Sequence, residues 1–316
     1  MTKRKRRYAA LTMVRDEDFF LRIWFNYYAG QFGAENLFVV DHNSQEIPPR
    51  RVVGDGPTIL RLPMTNPVMD PSGAERKFDD ARFLFVSSQI EALLQYYDAV
   101  IFNDADEIYV TNIAESLKDY LDALPEIGLR AGMGTEVFHD PIREEKYDPA
   151  KGIFQQRRYF RYRFLFCKPW VVGESGREIR GHGARGGFHL DPNLVLVHMH
   201  NIDLDQLMRR RQQRLLAFAE GRGGLRSRWK DHLPKARQQV QRFANIEPQP
   251  DDMPHPELLE EIFPGYRDQL FNGENYERRE GTRKKIIEVE RFVTEDQKEM
   301  LFYNRFQYPD RYIGKA

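Results

Sequence analysis

The chain has 316 residues, 48 basic and 48 acidic side chains, and a single cysteine. This length can bury a sizeable core, in one large domain or in a domain with an appendage. The charge balance excludes an overall field for nucleic acid, and the lone Cys167 excludes an internal disulfide framework. No stretch approaches the roughly 20 apolar residues of a membrane span. We therefore expect a cytoplasmic protein that does not bind nucleic acid.

The first half of the chain alternates short apolar runs with helical patterns. Strands are predicted at 9–14, 36–40, 58–62 and 99–102, and helices at 15–33 and 75–97. This order predicts an α/β fold with a mixed, mostly parallel sheet flanked by helices. Ligands bind at the carboxyl ends of the strands in such sheets. Because Asp41 and the acidic residues after 102 fall at those ends, we expect them to be neighbours.

The second half of the chain has looser patterns. Strands are predicted at 128–133, 164–172 and 194–200, with 135–140 as the mouth of the first strand and 141–158 as an irregular loop. A helix is predicted from Leu204, and the prolines of 245–256 predict a linker. We therefore divide the chain into an α/β catalytic domain at 1–203 and a mostly helical C-terminal extension at 204–316.

The segment Asn103-Asp-Ala-Asp-Glu107 follows the apolar run 99–102 and carries three carboxylates. Charges held out of water are costly unless a cation lies among them. In extended backbone, Asp104 and Asp106 would project from the same face of the strand. Two such oxygen donors suit Mg²⁺ or Mn²⁺ shared with a phosphate-bearing ligand. The segment therefore predicts a metal site beside a diphosphate.

Two plainer interpretations compete with this one. Acidic residues after a strand often form turns or cap the next helix, and that alternative stays open. A calcium loop that starts at Asp104 requires glycine at its sixth position, where this chain has Tyr109. The calcium-loop interpretation is therefore excluded.

Three segments together resemble the nucleotide-sugar-dependent glycosyltransferases of the GT-A (Rossmann-like) fold, close to the family 2-like bacterial group. The segments are 11–17, 38–44 and 100–107, of which the last resembles the DXD motif, and the likeness covers roughly residues 8 to 200. The resemblance implies a metal-dependent, inverting enzyme of polysaccharide biosynthesis. It implies a hexosyltransferase-like reaction from a nucleotide-diphosphate sugar, first of all a UDP-sugar, to a glycan, lipid-linked or other hydroxyl acceptor.

The resemblance also implies roles for individual residues. Asp41 would meet the uracil or ribose of the donor, while Asp104 would lie near the ribose and the metal. Asp106 would bind the Mn²⁺ or Mg²⁺ ion that bridges the two phosphates. Arg15 and Glu17 would line the nucleotide pocket. Such a cation neutralises the charge that grows on the departing diphosphate.

Enzymes of this kind often take a further metal ligand from a later strand, commonly a histidine. His198 and His200 lie two apart in a predicted strand and therefore share one face. Imidazole suits Mn²⁺ better than Mg²⁺. The alternative is that they are strand-end histidines with satisfied hydrogen bonds.

An inverting reaction needs a carboxylate that takes a proton from the acceptor hydroxyl. Asp191 stands at a similar separation from the acidic segment to that in the family, and Glu136 and Asp140 are competitors. The chain lacks a clear Glu-Asp pair there, so the base and the stereochemistry stay open. Two other functions also stay open: a metal-dependent phosphohydrolase or nucleotidyltransferase, and a non-catalytic module that binds an anionic ligand.

Two basic regions, 3–7 and the arginines of 209–228, could contact phosphates, an anionic glycan or the inner face of a membrane. The alternatives are a solubilising tail for the first and a solvated helix face for the second. Peripheral membrane contact is therefore an open expectation.

Overall fold

The structure is a computed structural model that describes residues 4–63, 78–180, 183–184, 187–219, 233–249, 260, 264–265, 271–272, 275–279, 282–286, 294, 296 and 301–316. Up to residue 124 the elements are β1 (Tyr8–Val14), α1 (Phe19–Phe32), β2 (Leu37–Asp41), α2 (Pro49–Val53), β3 (Thr58–Arg61), α3 (Phe78–Leu93), β4 (Ala99–Phe102), β5 (Glu107–Thr111) and α4 (Leu117–Ala123).

The elements of the second half include longer strands. They are β6 (Leu129–Phe138), α5 (Ile153–Gln156), β7 (Tyr159–Tyr162), β8 (Val171–Val172), β9 (Ile179–Arg180), β10 (Gly183–Ala184), β11 (Gly187–Asn201), α6 (Leu204–Ala219), α7 (Leu233–Ala244), β12 (Phe271–Asn272), β13 (Asn275–Arg279), β14 (Thr282–Ile286) and β15 (Phe306–Gln307).

One half of the central sheet is entirely parallel. Strands β3, β2, β1 and β4 are neighbours in that order, and each adjacent pair runs in parallel. Every residue of β4 is buried, which is typical of a parallel strand covered on both faces. The carboxyl ends of these strands therefore meet at one edge of the sheet.

The other half of the sheet is mixed. Strand β8 runs antiparallel to both β4 and β6, and it thereby joins the two halves. Strand β6 runs parallel to β11, while β5 runs antiparallel to β11 on its other side. The predicted fold class, a mixed α/β sheet flanked by helices, is confirmed.

The acidic segment differs from the extended backbone that we expected. Residues 103–106 connect β4 to β5 by a turn, in which the amide of Glu107 donates to the carbonyl of Asp104 over 2.9 Å. The chain has to turn here because β4 pairs with β1, whereas β5 pairs with β11. Asp104 and Asp106 are therefore presented by a turn and do not share the face of a strand.

Helix α1 begins later than predicted because Asp16 organises the loop before it. Asp16 takes a positive φ of 47°, and its Oδ1 accepts hydrogen bonds from the amides of Gln45, Glu46 and Ile47 at 2.8–3.0 Å. These bonds tie the loop after β1 to the loop after β2. The helix ends at Phe32, where Gly33 has a φ of 89° that favours glycine.

Three other predictions differ from the structure. Residues 135–138 continue β6 and do not form a loop, and 141–158 contains the short helix α5. The predicted strand at 164–172 is a 3-10 turn (Phe164–Phe166) followed by β8. Pro169 cannot donate a backbone hydrogen bond to a neighbouring strand, which explains the irregular backbone despite the apolar sequence.

The described residues beyond 203 include helices α6 and α7 and four short strands. Strand β12 pairs with β11, and β15 pairs with β7, so both join the main sheet. Tyr308 and Tyr312 are completely buried in the main core. The division at residue 203 stays a prediction, and 250–256 of the predicted linker lies outside the described residues. None of the described helices is long and apolar enough to cross a membrane.

Candidate active site

Charged side chains and histidines collect where β1, β2 and β4 end and where β11 approaches helix α6. We call the six charged residues around the turn after β4 the acidic turn cluster. Its members are Asp104, Asp106, Glu107, Arg82, Lys168 and Arg210.

Asp104 is neutralised by two cations from distant parts of the chain. Arg82 of α3 donates to its Oδ1, and the Lys168 ammonium lies 3.6 Å from its Oδ2. Burial raises the pKa of Asp104, but Arg82 and Lys168 outweigh burial and hold the pKa below its ordinary value. Asp104 is therefore ionised at neutral pH.

Asp106 lies between α6 and the two histidines of β11. Its Oδ2 accepts a hydrogen bond of 3.0 Å from Arg210 Nη1, with His200 Nδ1 at 3.7 Å and His198 Nε2 at 4.0 Å. Burial opposes ionisation of Asp106, but Arg210, His200 and His198 hold its pKa well below the ordinary value. One carboxylate oxygen is therefore the point on which three side chains converge.

Glu107 is the most deeply buried carboxylate of the turn, with 1% of its surface exposed. Its Oε1 accepts a hydrogen bond from Lys168 Nζ, which lies 4.0 Å from the centre of the Trp170 ring. Burial raises the pKa of Glu107 to about 8, with Lys168 opposing and the charges of Asp104 and Asp106 adding to the rise. Glu107 therefore holds a proton more firmly than an ordinary carboxyl group.

The two histidines are held in place by the strands around them. His198 is the register partner of Glu107 on β5 and of Glu136 on β6. The rings of His198 and His200 stack with centroids 5.8 Å apart, and Phe166 packs against the His198 ring. Burial lowers the pKa of His198 to about 4 despite the opposing charges of Asp106 and Glu136. His198 is therefore neutral at physiological pH, the form that can ligate a metal.

Arg210 connects Asp106 to the start of α1. Its Nη2 lies 3.3 Å from Glu17 Oε2, and its guanidinium lies 4.4 Å from the centre of the Phe20 ring. Glu17 Oε1 in turn accepts the Phe20 amide over 3.1 Å. Burial raises the pKa of Glu17, and Arg210 opposes that rise. Glu17 is therefore linked to Asp106 through Arg210, an arginine that was not among the predicted site residues.

The ends of β1 and β2 form the side of the site predicted to hold the nucleotide. Asp41 is 3% exposed; its Oδ1 accepts the Ser44 amide over 2.7 Å. Burial lowers the pKa of His42, and the charges of Arg15 and Arg82 lower it further. His42 therefore lies within electrostatic range of Arg15, Asp41 and Arg82, and Arg82 in turn pairs with Asp104.

Of the three carboxylates predicted as the base, Glu136 lies beside this cluster. Its Oε1 accepts from Asn201 Nδ2 over 2.9 Å, and its Oε2 accepts from Arg161 Nη2 over 2.7 Å. Burial raises the pKa of Glu136, but Arg161, His198 and Arg163 hold it below its ordinary value. Glu136 is thus close to His198 but already well occupied by hydrogen bonds.

Asp191 and Asp140 are not brought to this cluster. Asp191 pairs with Gly132 toward the opposite end of β11 from His198, and it accepts hydrogen bonds from Tyr120 Oη (2.7 Å) and Arg130 Nη1 (3.1 Å). Asp191 lies on the same strand as the two histidines, but β11 is long enough to keep it away from them.

Asp140 has a separate set of partners, which we call the Asp140 cluster: Asp140, Arg143 and Arg305. Asp140 and Arg305 are completely buried and share a hydrogen bond, and Arg143 Nη1 donates to Asp140 over 3.0 Å. Asp140 thus serves to hold the chain end near residue 305.

The three cations of the acidic turn cluster were not predicted from the sequence. The carboxylates do have cations beside them, as expected, but these are side chains and the predicted cation was a metal ion. Lys168 is a lone charge in an apolar run, which is a signal of a buried pair. Arg210 belongs to a basic run for which a solvated helix face was the leading alternative, yet its side chain is 18% exposed.

The histidines and acids fit a divalent ion in kind but do not form a complete ligand set. A neutral imidazole and a carboxylate oxygen are donors that Mn²⁺ accepts. Within the part of the chain that the structure describes, no group of three or more His, Cys, Asp and Glu side chains is arranged to hold a metal ion. Arg210 already takes the Asp106 oxygen that faces both imidazoles.

No protein-family model matches the chain, and no curated protein sequence matches it. Three similar solved structures are a synthase and two transferases by description. Glucosyl-3-phosphoglycerate synthase from Mycobacterium tuberculosis, in complex with Mn²⁺, uridine-diphosphate and phosphoglyceric acid, is 16% identical, with a TM-score of 0.26, over 42% of this chain and 43% of that one. Mannose-1-phosphate geranyltransferase from Thermus thermophilus is 14% identical, with a TM-score of 0.25, over 75% of this chain and 64% of that one.

The third similar structure is the mannosyltransferase PcManGT from Pyrobaculum calidifontis in complex with GDP-Man and Mn²⁺. It is 13% identical, with a TM-score of 0.29, over 76% of this chain and 72% of that one. The chain spans less than two thirds of the first two structures. Likenesses at this level carry no argument about function, which has to come from the site itself.

Proposed function

We propose that the protein is a nucleotide-sugar-dependent glycosyltransferase whose site is the acidic turn cluster with His198 and His200. The observation that supports this proposal most is the position of Asp106. It ends the turn after β4, at the carboxyl edge of the parallel strands, with two imidazole nitrogens within 4.0 Å of one oxygen. Ligands of α/β sheets bind at this edge.

The charges around the site suit the two halves of a nucleotide sugar differently. Arg15, His42 and Asp41 at the ends of β1 and β2 would hold the nucleobase and ribose by hydrogen bonds. Arg82 and Lys168 lie next to Asp104, and their positive charges would attract a diphosphate bound at this turn. Fixed cations that face the departing diphosphate stabilise the transition state without reorganisation.

The residues that would hold Mn²⁺ or Mg²⁺ are Asp106, His198 and His200, with Asp104 at the edge of the same turn. When bound, such an ion supplies a Lewis acid that neutralises the departing nucleoside diphosphate. His198 is suited to ligation because its buried ring is neutral. The chain itself provides the neutral imidazoles and the ionised Asp106.

Of the three predicted bases, only Glu136 lies beside the cluster. We propose that Glu136 takes the proton from the acceptor hydroxyl if the reaction inverts. The acceptor would be a glycan or lipid-linked hydroxyl, as in polysaccharide biosynthesis at the cytoplasmic side. Membrane contact through the N-terminal basic run gains no support, because Arg6 donates to the carbonyls of Leu121 and Leu124 at the end of α4. There it caps the helix.

Thermal unfolding with UDP, GDP and CDP, each with and without Mn²⁺, tests donor binding. A ligand that binds only the folded state raises the midpoint, and we expect the largest rise for UDP with Mn²⁺. Asp106→Asn should abolish the Mn²⁺-dependent part of the rise. Asp18→Asn is the matched control, because Asp18 pairs with the half-exposed Arg209 at 3.2 Å.

A second assay separates sugar transfer from the rival reactions. UDP-sugars are incubated with glycan acceptors, and the release of UDP and the glycosylated product are both measured. Release of inorganic phosphate or pyrophosphate without sugar transfer would instead identify a phosphohydrolase or nucleotidyltransferase. If no nucleotide and no metal changes the unfolding midpoint, the proposal fails and a binding module remains.

A further inference from the structure

Arg210 stands at the position that a divalent ion would need. Its Nη1 donates to Asp106 Oδ2 over 3.0 Å, and the same oxygen faces His198 Nε2 and His200 Nδ1. An ion bound by this oxygen and by either imidazole would lie next to the guanidinium. Two like charges in a buried site repel each other strongly.

Helix α6 is held against the site by this arginine and by its neighbour. Arg210 contacts Glu17 and the Phe20 ring as well as Asp106, while Arg209 pairs with Asp18 over 3.2 Å. The helix begins at Leu204, directly after the strand that carries both histidines. A change at Asp106 is therefore transmitted to α6 through a direct contact and through the connected chain.

We propose that Arg210 and a divalent ion are alternative occupants of Asp106, so that Arg210 holds helix α6 on the site only in the ion-free protein. The inference rests on the proposed function, because it assumes that Asp106 and the histidines take the ion. Arg210 neutralises Asp106 before the ion arrives. Glu17 is its second carboxylate partner, so the guanidinium has a nearby position to which it can move.

Competition between Arg210 and a divalent ion for Asp106 explains two features together. Asp106 is only 9% exposed, and its negative charge is paired with Arg210, whose Nη1 donates to Asp106 Oδ2 over 3.0 Å. The histidines have the right chemistry for a metal, yet no complete group of metal-binding side chains exists among the described residues. Both features follow if the arginine occupies the position that an ion would take beside Asp106.

The binding of Mn²⁺ alone, measured by calorimetry without nucleotide, tests the competition. Arg210→Gln should bind Mn²⁺ at least about fivefold more tightly than the wild type, which is the lower end of typical coupling between sites. Arg209→Gln is the matched control on the same helix and should stay within about twofold of the wild type. The double variant D106N/R210Q should lose the gain.

The outcomes separate this inference from the function on which it rests. Equal Mn²⁺ affinity of the wild type and R210Q overturns the competition but leaves the metal site standing. A gain that persists in D106N/R210Q places the ion elsewhere and also overturns the inference. If neither the wild type nor R210Q binds Mn²⁺, the inference and the metal ligands fail, whereas nucleotide binding in the unfolding assay still decides the donor site.

A measurement on the wild type covers the case in which R210Q does not fold. Amide hydrogen exchange of residues 204–219 should become faster when Mn²⁺ is added, because α6 loses its contact with Asp106. The D106N variant should show no such change. Unaltered exchange of α6 in the wild type at saturating Mn²⁺ overturns the inference without any substitution at Arg210.

Discussion

Two aspartate–arginine pairs occupy neighbouring parts of this molecule, and they differ in what surrounds them. Asp140 and Arg305 have no exposed surface, whereas the side chains of Asp106 and Arg210 are 11% and 18% exposed. Asp140 accepts from Arg305, Arg143 and the Ile142 amide. Its hydrogen-bonding capacity is used by the protein itself.

The Asp106 pair is arranged differently. Its other neighbours are two imidazoles at 3.7 and 4.0 Å, which are longer contacts than the 3.0 Å hydrogen bond from Arg210. In the other pair, by contrast, Arg305 also donates to the Ala244 carbonyl over 2.9 Å, and its guanidinium lies 3.6 Å from the Tyr159 ring centre. Burial and charge alone therefore do not mark a site; incomplete coordination around a partly accessible carboxylate does.

The largest effect should come from breaking the pair of Asp140 and Arg305. Arg305→Met leaves Asp140 charged and buried without its main partner, which costs roughly 3–5 kcal/mol of unfolding free energy. Urea denaturation measures this loss. Arg143→Met is the control and should cost much less, because Arg143 is 41% exposed. A loss as small as that of the control would show that the Asp140 cluster does not hold the chain end.

The pair of Asp106 and Arg210 should matter more for turnover than for stability. Asp106→Asn should reduce sugar transfer by roughly 10²-fold or more, as for other groups that act on transition-state charge. Its unfolding free energy should change less than that of Arg305→Met, because Arg210 keeps Glu17 as a partner. Steady-state kinetics and urea denaturation of the same preparation measure both quantities. Wild-type turnover in D106N would contradict the proposed site.

A third prediction concerns Asp191, which the sequence placed among the candidate bases. Asp191→Asn should keep sugar transfer within about threefold of the wild type while losing roughly 1.5–3 kcal/mol, the usual range for hydrogen bonds to a charged group. The reason is that Asp191 is engaged by Tyr120 and Arg130, away from His198. A loss of turnover without loss of stability would restore Asp191 as a catalytic candidate.

The effect that is smallest per pH unit should be a pH dependence that comes from Glu107. Burial raises the pKa of Glu107 from an ordinary 4.5 to about 8, so the folded state binds this proton more tightly than the unfolded state does. Its contribution to stability is complete below pH 4.5 and is lost as the pH rises to about 8.

Glu107→Gln removes that titration. The unfolding free energy of the wild type should therefore fall more steeply between pH 5 and pH 8 than that of the variant, by at most about 1.4 kcal/mol per pH unit. Urea denaturation across this range provides the comparison. Parallel curves would show that Glu107 is charged throughout and that Lys168 dominates its environment.

The α/β character and the edge that carries the site could be predicted from local sequence. Strands β1, β2 and β4 are short apolar runs, and Asp41 and Asp104 follow directly after two of them. Because parallel strands align their carboxyl ends, sequence order was enough to bring these acids to one edge. Arg15 and Glu17 follow β1 at this edge, whereas His198 and His200 were predicted from the resemblance and remain predicted ligands.

The partners of those acids were decided by the tertiary structure alone. Arg82 and Arg210 lie 22 and 104 residues from the aspartates they contact, separations at which no local pattern specifies a pair. The sequence required a cation, because buried carboxylates must be neutralised. Whether a metal or an arginine met that requirement depended on how α6 packs. Asp191 found its partners on α4 and β6, and Asp140 found its partners in Arg143 and Arg305. Proximity in three dimensions, and not spacing along the chain, determines which charges meet.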